Sequence, residues 1–329
     1  MLTIINNSTN PYYNLALEEY VLKHIKSDED FILLWQNKNA IIVGRNQNTF
    51  AEINYQYVKE HNIDVVRRTS GGGAVYHDLG NLNFTFITKN IQDNLNNYRK
   101  FTEPVIAALN KLGVPAEFSG RNDILVDGKK ISGNAQTFYK DRMLHHGTIL
   151  FNANLEMVSK VLNVNIEKLQ SKGIKSNRSR VTNIYPYIKT KITIKEFIIH
   201  LLKHFLGNDY ENRIYKLTNE DLENIEKLKN EKYMTWEWNF GESPEMDIQK
   251  QKRFLGGQVQ FNFNVNEGII KDCKIYGDFF GKENISDIEK SLIGVPFREN
   301  DLYEALNKIK LDDYFFNITI DDLISCIFY

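Results

Sequence analysis

The tightest constraint on the fold lies in the run Asp123-Ile124-Leu125-Val126-Asp127-Gly128-Lys129-Lys130-Ile131-Ser132-Gly133-Asn134. An Asp-Gly pair between two β-prone runs specifies a two-residue hairpin, because both central positions of that turn need positive φ and these residues tolerate it. With Asp127 and Gly128 at the turn, Val126 pairs with Lys129, Leu125 with Lys130, and Asp123 with Ser132. Side chains alternate along a strand, so Asp123, Leu125, Lys130 and Ser132 share one face while Lys129 points the other way. Asp123 and Lys130 become diagonal neighbours, about 7–8 Å apart in position. By itself this is as readily a surface hairpin with an ion pair as a site that holds an anion.

The rest of the chain divides by periodicity. Leu17, Tyr20, Val21, His24 and Ile25 recur at helical spacing, predicting a helix over 12–26. Phe31–Trp35 and Ala40–Val43 read as a strand hairpin around polar Gln36–Asn39, and Ile63–Arg67 as a strand after a helix near 52–60. Leu82–Phe86 alternates like a half-buried strand, and helices are expected near 101–112, 155–162, 192–206 and 219–231. Val259–Val265 alternates strictly and turns at Asn266-Glu267-Gly268, with helices near 284–292, 299–309 and 319–327 after it. The boundary is set near 246, giving units 1–246 and 247–329. Strands and helices do not alternate cleanly, so an α+β fold with a mixed sheet is expected over a doubly wound one.

Composition removes several functions. Lys plus Arg number 41 against 42 for Asp plus Glu, a formal charge of −1, without the basic excess of a nucleic-acid binder. The apolar runs are far too short to span a bilayer, and the start of the chain lacks a signal-peptide pattern, so a cytoplasmic, membrane-free protein is expected. Cys273 and Cys326 give neither a disulfide framework nor a CxxC metal pair.

Two further segments can carry chemistry. In Arg67-Arg68-Thr69-Ser70-Gly71-Gly72-Gly73-Ala74-Val75-Tyr76-His77-Asp78, three glycines let backbone N–H groups approach an anion beside an arginine fork. It lacks the endings of a P-loop and of a dinucleotide fingerprint, and a tight turn between strands is the plainer reading of an isolated Gly-Gly-Gly. In His145-His146-Gly147-Thr148 the adjacent histidines point to opposite strand faces and make poor joint ligands for zinc.

Taken together in order, these segments resemble the lipoate–protein ligase family, related to biotin ligases and, in fold, to class II aminoacyl-tRNA synthetases. The resemblance runs through Gly44-Arg45-Asn46-Gln47-Asn48, Arg67–Asp78, Lys130–Ala135, His145–Thr148, Ser176–Asn183 and Trp236–Pro244 into the C-terminal unit, covering nearly the whole chain. It implies activation of lipoate by ATP and Mg²⁺ to lipoyl-adenylate, then transfer to a lysine on the lipoyl domain of a 2-oxoacid dehydrogenase or on a glycine-cleavage H protein. It implies nucleotide contacts at Arg68, Gly73, Ala74, Val75, Tyr76 and Lys130, and lipoate contacts at Lys130, Arg45, Gly72 and His146. Lys130 is the expected catalytic cation, and Asp123 is a candidate Mg²⁺ ligand on geometry. Octanoate is a further possible substrate, and a monomer is expected. An octanoyl transferase needs a thiolate in the catalytic domain, yet residues 1–250 contain no cysteine. A biotin ligase is disfavoured because Lys130 is followed by Ile131-Ser132-Gly133 in place of a Gly-Gly pattern.

Overall fold

The structure, a computed structural model, describes residues 1–47, 49–89, 94–120, 122–162, 181–240, 248–266 and 269–328. Asn48, Arg121, Ser176–Arg180, Gly241–Pro244, the expected boundary at 246 and the Glu267-Gly268 turn lie outside them. The chain divides into two compact units. One comprises residues 1–42, 52–66 and 75–239, and the other comprises residues 43–51, 67–74 and 240–329.

The first unit is built on a seven-stranded sheet ordered β1-β2-β6-β10-β9-β8-β7. These strands are β1 (Leu2–Thr3), β2 (Phe31–Trp35), β6 (Asn81–Lys89), β7 (Ala116–Ser119), β8 (Asp123–Val126), β9 (Lys129–Tyr139) and β10 (Arg142–Leu150). β1 pairs parallel to β2 and its neighbours pair antiparallel, so the sheet is mixed and the class is α+β, as expected. Helix α1 (Pro11–Lys23) covers one face, with Leu15, Leu17 and Val21 packed among Phe31, Leu33 and Trp35. Helix α4 (Tyr98–Lys111) and helix α6 (Ile194–Leu206) supply Phe101, Val105, Phe197 and Leu201 to the other, against Phe84, Phe86 and Met143. Each such side chain withdrawn fully from water contributes about 1.5–3 kcal/mol.

Two expectations change. Phe31–Trp35 and Ala40–Val43 are strands with those bounds, but they are not a hairpin. β3 (Ala40–Val43) joins β4 (Asp64–Arg67) and β5 (Val75–His77) in a separate sheet. Asn37 explains the divergence, since its buried side chain bonds Asn14 and His77, and Asn39 takes a positive φ of 50°. β6 is covered on both faces and not half-buried, because its polar side chains find partners inside. Asn83 donates to the Trp35 carbonyl, and Thr85 donates to Glu18.

The expected helix near 219–231 is α7 (Asn219–Leu228) followed by one π-helical turn, Lys229–Tyr233. That turn is fixed to α1 through Glu19, which accepts from Tyr233, Lys232 and Lys23. Burial alone would raise the Glu19 carboxyl. The neighbouring Lys232 charge and these three hydrogen bonds outweigh it and hold the carboxyl below its usual range.

The second unit holds the antiparallel meander β11 (Ile248–Phe254), β12 (Gly257–Asn266) and β13 (Ile269–Gly277). Its inward residues Val259, Phe261 and Phe263 pack beneath helix α9 (Ser286–Leu292), helix α10 (Glu299–Asn307) and helix α11 (Ile320–Phe328).

Candidate functional site

In the β8–β9 ribbon the turn forms as expected, with Asp127 at φ 49° and Gly128 at φ 72°. Val126 pairs with Lys129 and Leu125 with Lys130. Beyond that the register shifts. A bulge inserts Ile131, so Ile124 faces Ser132 and Asp123 faces Gly133, not Ser132. The extra residue turns Ser132 to the buried side and leaves Gly133 on the face of Asp123 and Lys130. Lys130 Nζ lies 2.8 Å from Asp123 Oδ1, with side chains 39% and 32% exposed. The cation is therefore formed into an ion pair, yet still reachable from solvent.

The backbone under Lys130 is held from both sides. Beyond the Leu125 pairing, its carbonyl accepts the Thr182 N–H at 3.0 Å, and it bridges Val181. Val181–Asn183 closes the Ser176–Asn183 segment, and Asn183 exchanges side-chain hydrogen bonds with the Ala153 backbone.

The glycine segment falls in the second unit as far as Ala74. Arg67 is buried and donates to the carbonyls of Gly44, Arg45 and Gln47 and to Thr49 Oγ1. Burial lowers its guanidinium to about 10. Arg68, 7% exposed, turns back on its own loop and donates to Ser70 Oγ and to the carbonyls of Gly71 and Gly73. A Cβ at Gly71 would meet the Phe279 carbonyl, and at Gly72, where φ is 96°, it would meet the Arg68 fork. A Cβ at Gly73 would stand in open space. The first two glycines thus serve the packing of the loop, and the third leaves its backbone accessible. Arg45 is half-buried in the same unit; burial lowers its guanidinium, opposed by Glu283 and Asp287. Val75 and Tyr76 follow in β5 of the first unit, where the Tyr76 hydroxyl donates to Asn39 and burial beside Asp78 raises it.

The two histidines point to opposite faces, as the strand requires. His145 packs against Phe101 and Phe84, and burial depresses its imidazole well below the usual value, with His146 adding to the effect. His146 Nδ1 lies 3.1 Å from Glu18 Oε1, and the cluster continues through Thr85, which accepts from Trp35 Nε1 at 2.9 Å. Glu18 is a functional candidate that periodicity misses. It follows Leu17 on an amphipathic pattern, where a glutamate reads as solvated, but α1 is covered on nearly every side and Glu18 is buried. A carboxylate placed before aromatic Trp35 and polar Thr85 leaves no local mark in sequence.

Residues 10–206 match the lipoyl protein ligase A/B catalytic domain, and residues 243–327 match the bacterial lipoate protein ligase C-terminus. The chain belongs to the lipoate–protein ligase family. It is 49% identical over 331 residues to the lipoate-protein ligase LplJ of Bacillus subtilis, covering 100% of both chains. Among solved structures of the family, P. falciparum LipL1 in complex with lipoate superposes with a TM-score of 0.77 at 29% identity, over 98% of each chain. A lipoate-protein ligase A bound with ATP superposes with a TM-score of 0.62 at 27% identity, over 73% of this chain and 98% of that one. The family is one of enzymes.

Proposed function

We propose that the chain joins lipoate to ATP, forming lipoyl-AMP and pyrophosphate, and then acylates one lysine of an apo lipoyl domain. The observation that carries this reading is Lys130. It is an ammonium on a backbone anchored from both sides, half-exposed, with one carboxylate for a partner. In the first step a lipoate carboxylate oxygen attacks the α-phosphorus and pyrophosphate leaves. Charge gathers on the phosphoryl oxygens, and a preorganised cation stabilises it. In the second step the acceptor amine attacks the acyl carbonyl, AMP leaves with the bonding pair, and the amine loses a proton. Lys130 polarises the carbonyl and forms no covalent bond.

The remaining site residues take supporting parts in this proposal. Gly73, Ala74, Val75 and Tyr76 receive the nucleotide along their backbone, with Arg68 fixing the loop. Arg45, Gly72 and His146 are assigned to lipoate. The buried Glu18–His146–Thr85 cluster supports placing His146 beside an enclosed chain. Mg²⁺ in nucleotide sites is held chiefly by phosphates and water with one or two carboxylates, so it is assigned to the triphosphate as part of the substrate. The adenylating site is assigned to residues 1–246, with 247–329 as the accessory unit. Lipoate is the main acid, octanoate is a shorter analogue, and the protein is read as a cytoplasmic monomer. Among the described residues no helix is long and apolar enough to cross a membrane.

Thioester transfer is the competing chemistry, and the thiols argue against it. Cys273 and Cys326 are both buried in the second unit. Burial pushes the Cys273 thiol far up and that of Cys326 to about 11, so neither is a ready thiolate. The test is pyrophosphate release from purified protein with ATP, Mg²⁺ and lipoate, followed by mass gain on a panel of apo lipoyl domains. Absence of acid-dependent release with lipoate and octanoate alike sinks the ligase reading.

A further inference from the structure

The Lys130 side chain does not leave the strand freely. It runs across Gly133, so closely that a Cβ at position 133 would stand 2.9 Å from Nζ and 3.0 Å from Cε. Gly133 reaches this place because of the bulge at Ile131. In a regular ladder Ser132 would face Asp123, whereas here Gly133 does. The Gly133 N–H also contacts Thr148 Oγ1 at 3.3 Å, which ties the site to β10.

We infer that Gly133 is the seat that sets the position of the Lys130 ammonium, and that Asp123 is its resting counter-ion, displaced by the anionic groups of the substrates. The inference rests on the ligase reading of Lys130 and adds two positioning residues to it. The bulge supplies the seat by exchanging a serine for a glycine under the side chain, and the anchored Lys130 backbone fixes where the side chain starts. Asp123 holds the tip over the seat while no substrate is bound. At this exposure an ion pair adds little to stability, so an incoming carboxylate or phosphate takes the carboxylate's place at small cost. Asp123 then acts through Lys130 and not through a metal.

The full-length chain tests this with Gly133→Ala and Asp123→Asn, each assayed for lipoate-dependent pyrophosphate release across a Mg²⁺ titration. A Cβ at 133 displaces the ammonium, and a misplacement on the scale of 1 Å costs about a hundredfold in rate. Gly133→Ala therefore lowers kcat by roughly 10- to 100-fold while leaving KM for ATP nearly unmoved. Asp123→Asn removes the competing anion, which lowers KM for lipoate and leaves the Mg²⁺ concentration for half-maximal rate where it was. A wild-type kcat in Gly133→Ala overturns the seat, and a Mg²⁺ requirement raised tenfold or more in Asp123→Asn makes that residue a metal ligand.

Trace acetylation of the folded protein, read by mass spectrometry as Lys130 against exposed Lys129, gives a readout without turnover. Both variants shift that ratio, and an unshifted ratio in either overturns the part it tests. A wild-type protein whose ratio responds to the two substitutions but which releases no pyrophosphate indicts the ligase reading and leaves the seat standing.

Discussion

The arginine loop of the second unit and the lysine hairpin of the first use positive charge in opposite ways. Arg67 is sealed in and donates to three carbonyls and a hydroxyl, and Arg68 is folded onto the carbonyls of Gly71 and Gly73. Lys130 is half-exposed and pairs with one carboxylate. The guanidinium fork suits a fixed set of acceptors, while an ammonium on a flexible stem passes readily from one partner to another. The contrast separates charge that builds a loop from charge that meets a reactant.

The sharpest way to break the comparison is to remove each cation. Lys130→Ala should cut pyrophosphate release by about 10²–10³-fold, the scale for losing one preorganised donor, while thermal unfolding stays near wild type. Arg67→Met should do the reverse, removing the donor that ties the carbonyls of Gly44, Arg45 and Gln47 to Thr49 Oγ1 and destabilising by about 3 kcal/mol or more in denaturant titration. If Lys130→Ala melts early and Arg67→Met does not, the two roles are exchanged.

Within the loop, Gly72→Ala meets both a positive φ and the Arg68 fork, and should cost about 1–3 kcal/mol in melting experiments. Gly73→Ala meets open space, so its stability should stay within about 0.5 kcal/mol while KM for ATP rises. Equal stability losses at the two positions would erase the distinction between a glycine that the loop's own packing requires and one that it does not.

A smaller effect comes from His145, whose imidazole is depressed by burial and then by His146. Below the ordinary histidine value near 6.5 the unfolded chain takes up a proton that the folded chain refuses, so unfolding is favoured as pH falls. Stability is therefore complete above about pH 6.5 and declines below it. Urea titrations at stepped pH should show that slope, and His145→Gln should flatten it. The smallest effect is expected from thiol alkylation of the native protein, which should leave adenylate formation unchanged because both cysteines are buried. Loss of activity on alkylation would bring a thiolate mechanism back.

Much of this was legible in sequence because it is local. The Asp127-Gly128 turn, the pairs next to it and the split of His145 from His146 follow from residue type and a period of two. The bulge at Ile131 is not legible, since it buries Ile131 and Ser132 in succession, and the surfaces that receive them come from distant elements. The parting of β2 from β3 is hidden for the same reason, being set by Asn37 bonding Asn14 and His77. The glycine run announces close approach without saying of what. That two glycines receive Phe279, Phe280 and the Arg68 fork while the third lies open is decided in part by residues some 200 positions later. Glu18 and Glu19 read as solvated helix residues because pattern alone does not reveal a helix enclosed on nearly every side.

Glu19 has a consequence of a mechanical kind. With Tyr233, Lys232 and Lys23 on one carboxylate, and Asn239 bonded back to the carbonyls of Tyr233 and Thr235, the chain leaving the first unit is riveted down as far as Asn239. Cutting that rivet with Glu19→Gln should loosen the π-helical turn from α1 and speed limited proteolysis within 229–239, without touching any residue assigned to substrate.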